Sequence, residues 1–160
     1  MAPPRSEAGE SLGLNDSATH LLEECRMVLP GLQALFGFQM IAVFNSGFSQ
    51  QLSPVARAVH LVSIMLVVVA IALVMGPAAL HRRTEPTSIS QRFLQLSSRF
   101  LQWGMASLAL AIALDVYIVT DVIARSTTLS VVVAALVSIW FGILWYVVPA
   151  RENAARRAAD

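Results

Sequence analysis

The chain has 160 residues, of which 56% are hydrophobic and only 13% are charged. A soluble domain normally carries about 25% charged residues, so this composition excludes an ordinary water-soluble protein. The net charge is only +1, and the single cysteine, Cys25, excludes an intrachain disulfide and a metal site made of four thiolates. We therefore expect an integral membrane protein.

The N-terminal segment is polar. Residues 1–20 lack the basic start and the short apolar run of a signal peptide, so we expect residues 1–16 to remain as a disordered cytoplasmic tail. A helix-capping signal follows at Asn15, Asp16 and Ser17. It opens an amphipathic lead-in to the membrane domain, which we place at 17–150, and a second cytoplasmic tail follows at 151–160.

Four stretches between the charged residues are long and apolar. A helix needs about 20 such residues to cross the hydrocarbon layer, which is roughly 30 Å thick. The stretches that meet this requirement predict membrane spans at about 27–48, 56–80, 100–123 and 129–149. The predicted fold is therefore an all-α, integral membrane four-helix bundle.

An amphipathic segment precedes the third span. From Ile89 to Trp103, large apolar side chains and Arg or Gln side chains occupy opposite faces of a helix. This pattern predicts an interfacial helix that leads into the third span, with its arginines facing lipid phosphates. The arginines expected to contact headgroups are Arg82, Arg83, Arg92 and Arg99.

Arginine is distributed unevenly between the two sides of a four-span arrangement. One side carries Arg26, Arg82, Arg83, Arg92, Arg99, Arg151, Arg156 and Arg157, whereas the other carries Arg57 and Arg125. Basic residues are retained on the cytoplasmic face during insertion. Both termini and the loop between the second and third spans should therefore be cytoplasmic.

Small residues mark helix contacts in membranes, because they let two helix backbones approach closely. The fourth span carries Ala134, Ser138 and Gly142 at a spacing of four residues, which places them on one helix face. We expect this face to pack against another helix, either in the same protomer or in a partner.

The polar residues that interrupt the spans are distinctive. Residues 24–31 read ECRMVLPG and are followed by Gln33, Phe36 and Phe38. This start resembles that of a bacterial family of small four-span membrane proteins, a domain of unknown function. The similarity continues through residues 76–82, Asp121 and residues 145–149, and so covers about residues 21–150. The resemblance implies the four-span architecture, but it brings no activity, ligand or site residue.

Asp115 lies near the middle of the third span. A carboxylate at that depth costs several kcal/mol, at least about 2.5 on insertion scales, unless it has a partner, contacts water or is neutral. One interpretation is an ion or proton site. The other is a hydrogen bond that ties helices together, for example to Gln39 of the first span. The residue pattern leaves both open.

Further polar groups lie towards the outer end of the same helices. Asp121 precedes Arg125 by four residues, a spacing that suits an ion pair on one helix face. Arg57 and His60 open the second span from this side, so a polar vestibule could gather these residues around Asp115. The alternative is that Arg57 and Arg125 extend to the outer headgroups and contact nothing specific.

The sequence contains no recognisable catalytic, phosphate-binding or metal-binding motif, so we expect no enzyme, cofactor or metal. Two functions remain. The first is an oligomeric permeation pathway for ions or small solutes, with an intramembrane polar site at Asp115, Gln39, His60 and Asp121. The second is a non-catalytic accessory or scaffold protein that binds partner helices or anionic lipid. We expect a multi-pass protein of the bacterial inner (plasma) membrane. Its expected partners are the lipid bilayer and a homo-oligomer or larger complex, with no nucleic acid.

Overall fold

The computed structural model describes residues 5–45, 47, 50, 52–84 and 90–159, and the regular structure in them is helical, with no strand. The helices are α1 (Arg5–Phe44), α2 (Pro54–Thr84), α3 (Gln91–Ala124) and α4 (Thr127–Gly142), followed without a break by a π-helical turn (Ile143–Val147) and α5 (Val148–Ala159). Four stretches are long and apolar enough to cross a membrane: Gly13–Phe44, Pro54–Arg83, Gln91–Ala124 and Thr127–Glu152. The predicted all-α fold with four membrane-spanning helices is confirmed.

The first helix is longer than the sequence predicts. It begins at Arg5, within the stretch 1–16 that we expected to be a disordered tail, and residues 1–4 lie outside the described residues. The predicted cap lies inside this helix, since the Ser17 hydroxyl donates to the Gly13 carbonyl at 2.8 Å. Extending an existing helix gains one hydrogen bond for each residue fixed, which accounts for a helix that continues past its apolar part.

Serine side chains mark the starts of the next three helices. Ser53 accepts a hydrogen bond from the Ala56 N–H at 3.1 Å, just before Pro54 at the first helical position. Ser90 accepts from the Phe93 N–H at 3.1 Å at the start of α3. Ser126 accepts from the Leu129 N–H at 3.4 Å at the start of α4. These caps satisfy amide groups that would otherwise lack partners at the helix ends.

The chain divides into two compact units, Met1–Ala42 with Met65–Leu108, and Val43–Ile64 with Ala109–Asp160. In the first unit, α2 and α3 are antiparallel and pack closely at two glycines. A Cβ atom added at Gly76 would lie 2.6 Å from the Phe100 ring, and one at Gly104 would lie 3.1 Å from Val74. The Ser107 hydroxyl also donates to the Leu66 carbonyl at 2.8 Å.

The start of α3 contains the segment predicted to be an interfacial helix. It is continuous with the rest of α3, and Ile89 lies outside the described residues. Its buried positions are Phe93, Ser97 and Leu101, while Trp103 is exposed. The buried face is therefore rotated from the predicted apolar stripe, with which it shares Phe93. An interfacial position for this segment stays a prediction.

In the second unit, the N-terminal half of α2 packs against the C-terminal half of α3. Leu52, Ala56 and Ile118 are buried together, with Val59, Tyr117 and Val122 packed around them. Among the described residues of α4, only Ser130 is buried. This arrangement positions the polar residues described below between two closely packed helix segments.

Candidate intramembrane polar site

His60 and Ser63 lie three residues apart on one face of α2, and both are buried. Asp115 lies on the facing side of α3, and the rise from Asp115 to the end of that helix at Ala124 is about 14 Å. Ser63 is at a similar rise from the start of α2 at Pro54. The antiparallel pairing of the two helices therefore brings these polar side chains to one level, well inside both candidate spans.

Ser63 is the direct partner of Asp115. Its hydroxyl oxygen lies 2.8 Å from Asp115 Oδ1 and 3.1 Å from the Ala111 carbonyl oxygen, and both oxygens can accept its proton. Ser63 is completely buried. The sequence reasoning missed this residue, although one signal was present, since Ser63 is the only Ser or Thr between Pro54 and Arg83.

His60 provides a second ionisable group beside Asp115. Its Nδ1 atom lies 4.0 Å from Asp115 Oδ1, and the contact is an ion pair when the imidazole is protonated. The imidazole side chain is 8% exposed and the carboxylate 21%. His60 and Asp115 therefore lie close together in this unit. Gln39 is buried in the other unit, and its predicted sharing of this site stays a prediction.

A polar cavity of about 260 Å³ lies near the ends of the same helices. Its lining residues are Ser53, Asp121, Val122, Arg125 and Thr127. The Thr127 hydroxyl donates to Asp121 Oδ1 at 3.4 Å. The cavity thus brings Asp121 and Arg125 together, whereas a vestibule that also includes Arg57, His60 and Asp115 stays a prediction.

Asp121 and Arg125 are joined by a backbone hydrogen bond, which the Arg125 N–H donates to the Asp121 carbonyl at 3.0 Å. The predicted ion pair assumed that α3 continues through Arg125. Instead, α3 ends at Ala124 and Arg125 has a left-handed backbone, with φ at 48°. The side-chain ion pair between Asp121 and Arg125 stays a prediction.

The four arginines expected to contact lipid headgroups are all exposed, as that function requires. Arg82 and Arg83 lie in the last turn of α2, where the negative end of the helix dipole favours positive charge. Arg92 and Arg99 lie in the first part of α3. Contact with headgroups stays a prediction.

The small-residue face of α4 is not closely packed by the described residues. Ala134 and Gly142 are half-buried, and Ser138 is exposed and donates to the Ala134 carbonyl at 2.9 Å. A Cβ atom added at Gly142 would have no described atom within 4 Å. Packing of this face against a partner stays a prediction.

Among the described residues, no three His, Cys, Asp or Glu side chains come together as a metal ion would require. Four long apolar helices, two of them joined by buried polar contacts, define a multi-pass α-helical membrane protein. The chain belongs to the Family of unknown function (DUF6328), whose model matches residues 14–149. This match confirms the resemblance noted in the sequence. Neither the curated proteins nor the solved structures contain a match.

Proposed function

We propose that the protein forms a permeation pathway for a small ion, with Asp115 as its intramembrane site. The observation that carries this proposal is the contact of the partly buried Asp115 with the buried side chains of Ser63 and His60, between α2 and α3. An acidic residue inside a membrane span is costly to insert, and such residues mark ion and proton pathways in many membrane proteins. Here the polar partners of Asp115 offset this free-energy cost, which an apolar residue at the same position would not have.

A purely structural tie between helices explains this arrangement less well. Ser107 already joins the same two helices through the Leu66 carbonyl without any charged group. A tie also needs only one partner, whereas Asp115 has a hydroxyl and a second ionisable group beside it. The cavity at Asp121 supplies a polar approach near the ends of these helices. Together these features favour a site that exchanges an ion with water.

The proposal also includes the orientation of the protein in the membrane and its oligomeric state. We place the cavity on the outer side of a bacterial inner membrane, with both termini in the cytoplasm, because nine of the eleven arginines, Arg5 included, then lie on the inner side. We take the active form to be a homo-oligomer and the protein to be non-enzymatic. The small-residue face of α4 supports self-association, since the described residues leave space at Gly142.

An accessory or scaffold function is the second candidate. It is favoured by the same uncovered face of α4, which could hold a partner helix, and by the exposed arginines Arg82, Arg83, Arg92 and Arg99, which could hold anionic lipid. This function needs no ion movement and no acidic group inside the membrane. Flux measurements therefore separate it from the first proposal.

The test is a flux assay on the purified full-length protein in lipid vesicles, with proton, sodium and potassium movement measured in parallel. Wild type should conduct at least one of these ions above protein-free vesicles, and Asp115→Asn should abolish that flux while keeping the helical circular dichroism. Glu23→Gln is the matched control, because it removes an exposed carboxylate whose nearest recorded charged partner is His20 at 3.8 Å. A wild type without flux, or an Asp115→Asn variant with normal flux, would favour the accessory function.

A further inference from the structure

We infer that the ion handled at Asp115 is the proton, with Ser63 serving both protonation states of the carboxyl group and His60 exchanging the proton with water. This inference rests on the proposed function and specifies its substrate. Three features carry it: the kinds of group that contact Asp115, the two acceptors of one hydroxyl, and the position of the imidazole.

A permeating alkali ion is held by several oxygen atoms that replace its hydration shell, whereas a proton passes between groups that can both donate and accept a hydrogen. The side chains that contact Asp115 Oδ1 include a hydroxyl, with Ser63 Oγ at 2.8 Å, and an imidazole, with His60 Nδ1 at 4.0 Å. A hydroxyl and a neutral imidazole each have both a donor and an acceptor. These partners therefore favour the proton.

The Ser63 hydroxyl has one proton and two acceptors within reach. When Asp115 is ionised, Ser63 donates to Asp115 Oδ1. When Asp115 is protonated, its O–H can donate to Ser63 Oγ, and the Ser63 proton turns to the Ala111 carbonyl. Only a hydroxyl hydrogen has to rotate between the two states. The hydroxyl of Ser63 and the carboxyl group of Asp115 therefore keep their hydrogen bond in both protonation states. Loss of this hydrogen bond in either state would cost free energy, because a buried polar group would lack a partner.

His60 is the ionisable group that faces Asp115 from the other helix, at 4.0 Å. The remaining charged groups nearby on α2 and α3 are Arg57, which is exposed, and Asp121, which lies at the cavity. From α4 the buried group is Ser130, whose hydroxyl donates to the Ser126 carbonyl, and residues 43–52 contain no ionisable side chain. His60 is thus positioned to exchange a proton with Asp115.

The exchange conserves protons and charge. The Nδ1 atom of His60 lies 4.0 Å from Asp115 Oδ1, so the proton passed to Oδ1 leaves from Nδ1, while a hydronium ion gives a proton to Nε2 and becomes water. The imidazole is neutral before and after, with its proton moved from one nitrogen to the other, and the carboxylate becomes a carboxylic acid. A hydrogen bond requires about 3 Å, so the two groups must approach by about 1 Å in a side-chain movement.

The test uses the same vesicles, with a pH-sensitive dye inside and a potassium gradient clamped by valinomycin. Wild type should move protons faster than sodium or potassium. Ser63→Ala should lower proton flux roughly tenfold or more, since a buried hydrogen bond to a charged group is lost. Ser63→Thr, which keeps a hydroxyl, should restore most of the flux, and His60→Gln should reduce it and change its dependence on pH.

Ser107→Ala is the matched control, because it removes the other serine bond between α2 and α3 without touching Asp115. Its proton flux should equal that of wild type. If Ser63→Ala folds poorly, infrared difference spectra between acidic and alkaline buffer provide a second measurement. They should show a carboxylic acid carbonyl band that Asp115→Asn removes and Ser63→Thr shifts.

The outcomes are distinct. Sodium or potassium flux that depends on Asp115, without proton flux, would overturn this inference and leave the permeation pathway standing. No flux of any ion would remove the proposed function itself. Proton flux that depends on Asp115 but is equal in Ser63→Ala and wild type would show that the hydroxyl has no part in proton binding.

Discussion

At the scale of single residues, the hydrogen-bond partner of Ser63 could not be predicted from the sequence. A serine in a helix commonly bonds to its own backbone, as Ser138 does with the Ala134 carbonyl and Ser130 does with the Ser126 carbonyl. Ser63 instead bonds across to α3. The three serines look alike in the sequence, because the choice depends on which helix face meets a neighbour. The need of Asp115 for a polar partner could be predicted, because a carboxylate without one is costly inside a membrane. The identity of that partner could not be predicted.

Arg125 gives a prediction at this scale. Its φ of 48° is a left-handed conformation that costs a residue with a side chain about 1–2 kcal/mol, and glycine avoids this cost. Arg125→Gly should therefore be about 1 kcal/mol more stable than Arg125→Ala, although both lose the same guanidinium group. Reversible unfolding in detergent, followed by circular dichroism, would measure the difference. Equal stabilities would mean that the chain relaxes at this position.

At the scale of helices, the contact between α2 and α3 depends on glycine. Ala134, Ser138 and Gly142 share one face of α4 by their spacing, whereas α2 and α3 approach closely at Gly76 and Gly104. Spacing shows which small residues share a face, but it does not show which face meets another helix. Helix number and type were predictable because charged residues interrupt the apolar stretches, while the extent of α1 was not.

Gly76→Ala tests this contact. The added methyl group would lie 2.6 Å from the Phe100 ring, so the ring or the helix must move, and overpacking of this kind costs about 1–3 kcal/mol. Gly142→Ala is the control, since its Cβ would meet no described atom within 4 Å, and the gain in helix propensity should make it neutral or stabilising. Thermal unfolding of both variants in one detergent would compare them. Adding Phe100→Leu should recover part of the stability lost in Gly76→Ala, and failure to do so would place the strain elsewhere.

A second prediction for a helix concerns self-association through α4. Gly142→Leu should leave the unfolding midpoint of the protomer close to that of wild type, because the described residues leave space there. It should weaken a homo-oligomer that packs through Ala134, Ser138 and Gly142, since a large side chain keeps the helices apart. Mass measurement by light scattering in detergent or nanodiscs would detect this. Val133→Leu, which points away from that face, should keep the wild-type mass.

At the scale of the whole molecule, the topology can be tested with single cysteines in a Cys25→Ser background. Thr128 lies at the start of α4 and Gln91 at the start of α3, and both are exposed. The arginine distribution predicts that Thr128→Cys reacts with an impermeant reagent on intact cells and that Gln91→Cys reacts only after lysis. The reverse labelling pattern would contradict the predicted orientation.

The connection between α3 and α4 has a consequence for biosynthesis. Only Arg125 and Ser126 separate the two helices, and such a link extends at most about 11 Å, close to the 8–10 Å between the axes of packed helices. Once both helices have formed, neither can therefore cross the bilayer while the other stays behind, and α3 and α4 should insert as one hairpin. In the predicted orientation, with both termini in the cytoplasm, the tip that carries Asp121 and Arg125 would be translocated with this hairpin. The apolar character of α4 would then help to drive across the membrane a helix that contains two acidic residues.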